Sequence, residues 1–322
     1  MPTEALKPNV VLQPRDIDIF LALQQFPYLS QHYIGELLGF KRTVYERDGF
    51  KLIRYETLRR RLRYLRLAGY LRIHPDSKPR KGAKDRPRAY MLTIEGKNAL
   101  RERGLYKQAY RLSSSFNHDF GSCLIVASMK LGVQKNPKLR LIEAPEIIAH
   151  PTCPPTTRDM IDPFALPMKN DKVKKHDWPA WGIGYQYADG KERKIFFPGH
   201  EFDCDSEGLK AADKDRSSIE HHFRNILELL DGGYKAHFGI PSMYPLIVAT
   251  SPERMHKMMA LLLDMTKGKG SEKILFDYMD DYTNDGPFPP ATDFMLTRPK
   301  QRAGYPPLDI LELLGAKEKT AS

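Results

Sequence analysis

Three carboxylates stand at alternate positions in the stretch "GHEFDCDSE": Glu201, Asp203 and Asp205. Side chains alternate between the two faces of an extended strand, so all three would project to one side. Carboxylates so placed repel unless a cation or an arginine sits among them. One chemistry that fits is a Mg²⁺ site, which uses one or two carboxylates together with water and phosphate oxygens. Asp162, in "MIDPF", would join from a neighbouring strand. On this reading Asp162, Glu201, Asp203 and Asp205 are the candidate catalytic groups of a metal-dependent nuclease or nicking accessory. Glu201 and Asp203 are then the candidate metal ligands. The other reading is a charged loop after a strand, with His200 as a hydrogen-bond partner of the acids. His221 and His222 are adjacent on an expected helix and face different ways, so they do not form a metal pair. The chain has no Walker loop, no GxGxxG and no GxSxG, and no cofactor beyond that Mg²⁺ is implied.

A second chemistry is binding to phosphate. "ETLRRRLRYLRLAGYLR", residues 56–72, holds six arginines. Tyr55, Leu58, Leu62 and Leu65 recur at spacings of three and four, which makes one apolar helix face. Arg59, Arg63 and Arg66 cluster on one flank, with Arg60 just beyond, and Arg61 borders the apolar face on the other side. Only Glu56, four residues before Arg60, offers an intrahelical carboxylate of the kind that salt-bridges a solvent helix. The charge is largely uncompensated and calls for an external polyanion, although a plain basic surface is the alternative. Residues 51–90 hold fourteen Lys and Arg against three acids, an excess of eleven that equals the net charge of the whole 322-residue chain. One forty-residue segment is therefore the electrostatic footprint of a nucleic-acid reader.

The elements that would carry these groups divide the chain. "QPRDIDIFLALQQF" reads as a helix with Pro14 near its start, and "LSQHYIGELLGF" as a second helix with Ser30 as its N-cap. "KRTVYERDGFKLI" is a polar interruption, longer than a helix-turn-helix turn. The arginine helix follows from about Tyr55 to Leu67 and ends at Gly69. "YLRIH" and "AYMLTIEG" read as strands around the basic run "PDSKPRKGAKDRPR", with Thr93 capping a further helix. Three helices followed by such a hairpin is the winged-helix order, with the arginine helix in the major-groove position. Glu56, Thr57, Arg60 and Arg61 are placed to reach base edges. Arg59, Arg63, Arg66, Lys78, Arg80, Lys81, Lys84, Arg86 and Arg88 are placed to meet phosphate. Tyr70 and Tyr90 are expected in the hairpin core.

The second half alternates helices and strands, the signature of an α/β domain. Its expected elements are a helix from Asn117 to Leu131, a strand in "KLRLI" and short strands such as "WGIGYQY". One strand through "RKIFFPGHEFD" follows, then a helix from about Ile219. "YPLIVAT" is a buried strand, and Ser251 caps the helix of "SPERMHKMMALLLDM". Short strands are expected in "KILFDYM" and "TDFMLT". Leu308, Leu311 and Leu314 give the tail a small apolar helix, docked on its own core or on a second chain. The expected fold class is α/β (α+β overall). The expected domains are a winged helix over 1–112, an α/β domain over 113–300 and a tail over 301–322. Three scattered cysteines form neither a disulfide framework nor a zinc pattern, which fits a reducing cytoplasm. No leader-like apolar core and no membrane span are apparent.

The combination of "QPRDIDIFLALQQFPYLSQHYIGELL", "TLRRRLRYLRLAGYLRI", "AYMLTIEGKNAL", "NHDF", "HEFD" and "PLIVATSPERMHKMMALL" resembles the replication-relaxation family of plasmid and mobile-element proteins. The resemblance covers about 110 residues at the N-terminus and is patchy from 117 to 265. It implies a DNA-binding protein acting in replication, relaxation or mobilisation, or in transcription regulation. It also implies a restriction-endonuclease-like second domain with Asp162 and Glu201 at acidic motif positions. Such nucleases carry Glu-x-Lys, and here the third position is Asp203, so Lys210 or Lys214 would have to supply the cation. The implied partners are double-stranded DNA, a second copy of the chain, and a relaxase or replication initiator.

Overall fold

The structure is a computed structural model that describes residues 10–47, 50–77, 88–107, 115–167, 175–177, 181–186, 192–205, 208–210, 218–279 and 291–316. It is mixed α/β, with several small sheets. The chain packs as two compact units, Met1–Leu131 with Asp281–Thr292, and Gly132–Asp280 with Asp293–Ser322.

The first unit begins with α1 (Pro14–Gln25), whose Pro at the first helical position has no N–H to leave unsatisfied. The two-residue strand β1 (Leu29–Ser30) leads into α2 (Gln31–Leu37), and the Ser30 hydroxyl caps α2 by accepting from Tyr33 N at 3.3 Å. The polar interruption is a hairpin, β2 (Thr43–Arg47) with β3 (Phe50–Arg54), in register from Thr43 opposite Arg54 to Arg47 opposite Phe50. Then come α3 (Glu56–Leu67), β4 (Leu71–Ile73), β5 (Ala89–Leu92), α4 (Ile94–Arg101) and α5 (Phe116–Lys135). Gly69 takes a positive φ of 90° just past α3, the helix stop expected of it. Strands β4 and β5 pair antiparallel, and β1 adds a third strand to β5 that the sequence did not show. Thr93 caps α4 through Gly96 N.

The core of this unit is Ile19, Phe20, Leu23, Ile34, Leu58, Leu62, Leu65, Leu71 and Leu100, none more than 2% exposed. Gly35 lets α2 close onto α3, because a Cβ there would stand 2.7 Å from Tyr55 Cε1. Tyr90 is buried, and Tyr70 packs against Phe20 at 5.7 Å between ring centroids. The His74 ring, just after β4, stacks on Phe116 of α5 at 4.2 Å, and Tyr28 meets both rings edge-on.

The second unit holds β6 (Leu139–Ile142), α6 (Ala144–Ala149), α7 (Pro155–Arg158), β7 (Ala165–Pro167), β8 (Lys175–Asp177), β9 (Gly182–Gln186), β10 (Glu192–Phe196) and β11 (Pro198–Phe202). It continues with α8 (Ile219–Glu228), α9 (Tyr234–Phe238), β12 (Tyr244–Ala249), α10 (Pro252–Met265) and β13 (Leu275–Tyr278). The last elements are α11 (Phe294–Thr297), β14 (Lys300–Arg302), β15 (Tyr305–Leu308) and α12 (Ile310–Leu314). The main sheet runs β11-β12-β13-β14-β15, its first three strands parallel and joined through α8, α9 and α10. A second sheet runs β10-β9-β6.

Three expectations for this unit need correction. The single strand through "RKIFFPGHEFD" is two strands in different sheets, parted at Phe197 where Pro198 follows. A proline lacks the N–H that an uninterrupted ladder would use. "TDFMLT" is the short helix α11, which buries Met295 and Leu296. The tail over 301–322 is not a separate domain. It supplies part of β14, β15 and α12 to the second unit, with Ile310 at 0% and Leu314 at 1% exposure, so the tail helix docks on its own unit. Ser251 caps α10 as its position suggests.

Burial holds the imidazoles of His32 and His74 below their usual value; Asp76 and Asp119 pull His74 upward and Arg72 pulls it further down. A histidine with a depressed folded pKa is protonated more readily in the unfolded chain. Stability is then lost as pH falls below the ordinary value of about 6.5 toward the folded pKa. Denaturation midpoints are therefore expected to drop between pH 7 and pH 5. His74→Phe, which keeps an aromatic ring on Phe116, is expected to make that drop shallower. Equal steepness in both proteins would mean that His74 does not couple to folding.

Candidate nucleic-acid interface

Two constraints set the rotation of α3 about its own axis. Leu58, Leu62 and Leu65 are each 0% exposed and turn one side inward. Beside that stripe, Arg61 donates from Nε to Asp16 Oδ1 at 2.7 Å and from Nη2 to both Asp16 Oδ2 and, at 3.0 Å, the Val11 carbonyl. Asp16 is 1% exposed and also accepts from Gln13 N at 2.6 Å, where it completes the capping box of α1. Arg61 is thus a strut between α1 and α3. This departs from its assignment to base edges: a fork–fork pair with a buried carboxylate commits Nε and Nη2 to the fold.

The remaining α3 arginines face solvent. Arg59 is exposed and pairs with Glu56 at 2.9 Å, one turn away. Arg60, Arg63 and Arg66 are exposed and, among the described residues, make no ion pair. Thr57 is exposed in the first turn, and Arg88 is exposed at the foot of β5. Burial raises the Tyr90 hydroxyl above its usual pKa, while Arg88, Arg66 and Arg59 all pull it down, so these three guanidiniums share one neighbourhood at the β5 side of the helix. Lys78, Arg80, Lys81, Lys84 and Arg86 lie outside the described residues.

At about 100° per residue, the direction opposite the leucine stripe is taken by Leu67 and Arg60, with Arg63 and Tyr64 to either side. Tyr64 is 45% and Leu67 48% exposed. Neither residue stands out in the sequence. The signal that could have found them is their place opposite the stripe, which the count of arginines obscured.

The acidic segment is built differently from the expectation. Strand β11 ends at Phe202, so Asp203 and Asp205 do not continue an alternating face with Glu201. Glu201 meets His222 Nδ1 of α8 at 3.4 Å. Asp203 is buried and takes both arms of Arg254 from the first turn of α10, at 2.7 and 3.4 Å. Asp205, at φ 58°, lies 3.2 Å from Arg254 Nε and donates its N–H to Asp203 Oδ1 at 3.1 Å. The arginine that such a cluster requires is therefore Arg254, which no local spacing revealed. Asp162 lies in the loop between α7 and β7, not on a strand. His200 accepts from Trp181 Nε1 at 3.2 Å, and His221 and His222 have separate contacts, with Asn225 and Glu201. Lys210 pairs with Asp264 at 3.0 Å, and Lys214 lies outside the described residues. Among the described residues no group of three His, Cys, Asp or Glu is arranged to hold a metal. The donor set does not fit Mg²⁺, because Asp203 is already neutralised by a guanidinium.

A second buried cluster was not legible at all. Asp277 on β13 is 2% exposed and faces Lys300 on β14, itself 0% exposed, with Nζ 2.8 Å from Oδ2. Arg298 lies 2.6 Å from the other carboxylate oxygen, and the lysine also donates to the Arg298 carbonyl at 2.6 Å. Burial pushes the Lys300 ammonium below its usual pKa, and Asp277 holds it up.

No protein-family model, curated protein or solved structure matches the chain. Among the described residues no helix is long and apolar enough to cross a membrane.

Removing one partner of a buried ion pair leaves the other uncompensated and costs about 3–5 kcal/mol in such sites. Arg61 is partly exposed at 22%, which softens that figure. Arg61→Ala is expected to destabilise the folded chain by roughly 2 kcal/mol in urea denaturation. Arg63→Ala, two residues on and on nearly the opposite side of the helix, is expected to change stability by less than about 0.5 kcal/mol. Equal effects at the two positions would show that Arg61 is not a strut.

Proposed function

We propose that this chain is a duplex-DNA-binding protein that lays α3 against the major groove. The observation that carries the reading is the set of exposed guanidiniums on α3, Arg60, Arg63 and Arg66, without carboxylate partners among the described residues. A guanidinium surface left uncompensated by its own fold is suited to phosphate, which it binds bidentately. Arg59, Arg66 and Arg88 are exposed and each acts on the buried Tyr90 hydroxyl of β5, so all three are within electrostatic range of that strand and suited to contact a phosphate backbone beside it. Thr57 and Arg60, near the helix start, are the groups within reach of base edges.

In its finer form the reading is a winged helix, with β4 and β5 as the base of the wing, followed by an endonuclease-like domain used for assembly and not for cutting. Its role is that of a replication-relaxation protein of a plasmid, phage or integrated element, or of a transcriptional regulator. What supports the first part is the order of α1, α2 and α3 followed by the β4–β5 pair. What supports a non-cutting second domain is the commitment of Asp203 to Arg254.

The test is a salt titration of a labelled duplex. Contact with roughly six phosphates gives a slope of log K against log salt near −5. Arg63→Ala and Arg66→Ala are each expected to lower affinity for every duplex and to make the slope shallower by about one. A flat salt response, or no binding at low salt, would remove the reading.

A further inference from the structure

We infer that α3 reads thymine methyl groups, through an apolar patch of Tyr64 and Leu67 that stands one turn beyond Arg60 and Arg63. The inference rests on the DNA reading above and specifies what kind of site that helix prefers. Tyr64 and Leu67 are one turn apart, so their side chains are neighbours on the helix surface. Both are about half exposed, and both point away from the leucine stripe that α3 buries in its own unit. The flanking groups Arg60 and Arg63 are exposed cations.

The occupant follows from this combination of charge and surface. A protein partner complementary to the arginines would be acidic, but a cleft lined by carboxylates offers little that is apolar to the two side chains beside them. The major groove offers both. Phosphates line its two edges, and the C5-methyl of thymine is the apolar group on its floor. A helix of 12 residues, about 18 Å long, fits along that groove. With Arg60 and Arg63 drawn toward guanine edges or phosphates, Tyr64 and Leu67 are left facing the floor. The preferred site is then one in which thymines lie beside the guanines or phosphates that the arginines engage.

The experiment uses the full-length chain. A 20-base-pair duplex is first selected by the protein from a random pool, and is then resynthesised with deoxyuridine at each thymine, which removes only the methyl groups. Loss of one buried methyl is expected to weaken binding about threefold to fivefold. With Tyr64→Ser/Leu67→Ser the thymine and uracil duplexes are expected to bind equally, with the salt slope unchanged. Equal binding of the two duplexes by the unmodified chain would overturn the inference and leave the DNA reading standing. Absence of any selected or salt-dependent binding would remove both. A lower mass for the double variant in light scattering, with no uracil effect, would show that the patch joins two copies of the chain, and would overturn the inference as well.

Discussion

The ion pair between Arg61 and Asp16 is the interaction on which the orientation of α3 depends. Leucines at 58, 62 and 65 turn one side of the helix inward, but an apolar stripe alone tolerates some rotation about the axis. The buried Asp16 carboxylate removes that freedom by taking the arginine next to the stripe in a fork geometry. Once Arg61 is held, Arg60, Arg63, Tyr64 and Leu67 turn away from the buried stripe and are exposed among the described residues. Asp16 also caps α1, so the entry of the first helix and the rotation of the third are fixed by one side chain. The exposed charge follows from this: one cation is consumed internally so that the others present a defined surface.

The second unit applies the same physics to its acids. Asp203 and Asp277 are both buried, and each is met by a cation, from Arg254 in one case and from Lys300 and Arg298 in the other. Carboxylates in a low-dielectric interior need such partners, and loss of either partner would leave the other charge buried and uncompensated. Asp203 sits at the carboxyl end of a parallel strand, the edge where open α/β sheets bind ligands. Here that edge is closed by an arginine from the following helix. Two of the acids in that sequence pattern, Asp203 and Asp205, are therefore gathered by an internal arginine.

What could be read from the sequence was local. The spacing of Tyr55, Leu58, Leu62 and Leu65 predicts α3, and Ser30, Thr93 and Ser251 cap the helices that follow them. These signals act within one or two turns of the chain. The β2–β3 hairpin also had its signal, the Asp48-Gly49 dipeptide between the paired residues Arg47 and Phe50, but charged residues in both strands hid the alternation. The partners of Arg61 and Asp203 lie 45 and 51 residues away, and no periodicity carries information over that distance. Alternation placed Glu201, Asp203 and Asp205 on one face only because a strand was assumed to continue. Its end at Phe202 put the last two in a loop, where Arg254 collects them.

The arginines of α3 divide their labour between fold and surface, and their Nε–H signals report that division directly. In nitrogen-15 spectra of the free full-length chain, the account predicts a slowly exchanging Arg61 Nε–H, held by Asp16, and rapidly exchanging signals for Arg60 and Arg63. Addition of a selected duplex is predicted to shift and protect Arg60 and Arg63 while leaving Arg61 in place. Rapid exchange at Arg61 in the free chain, or a duplex that perturbs Arg61 and not its neighbours, would contradict the account.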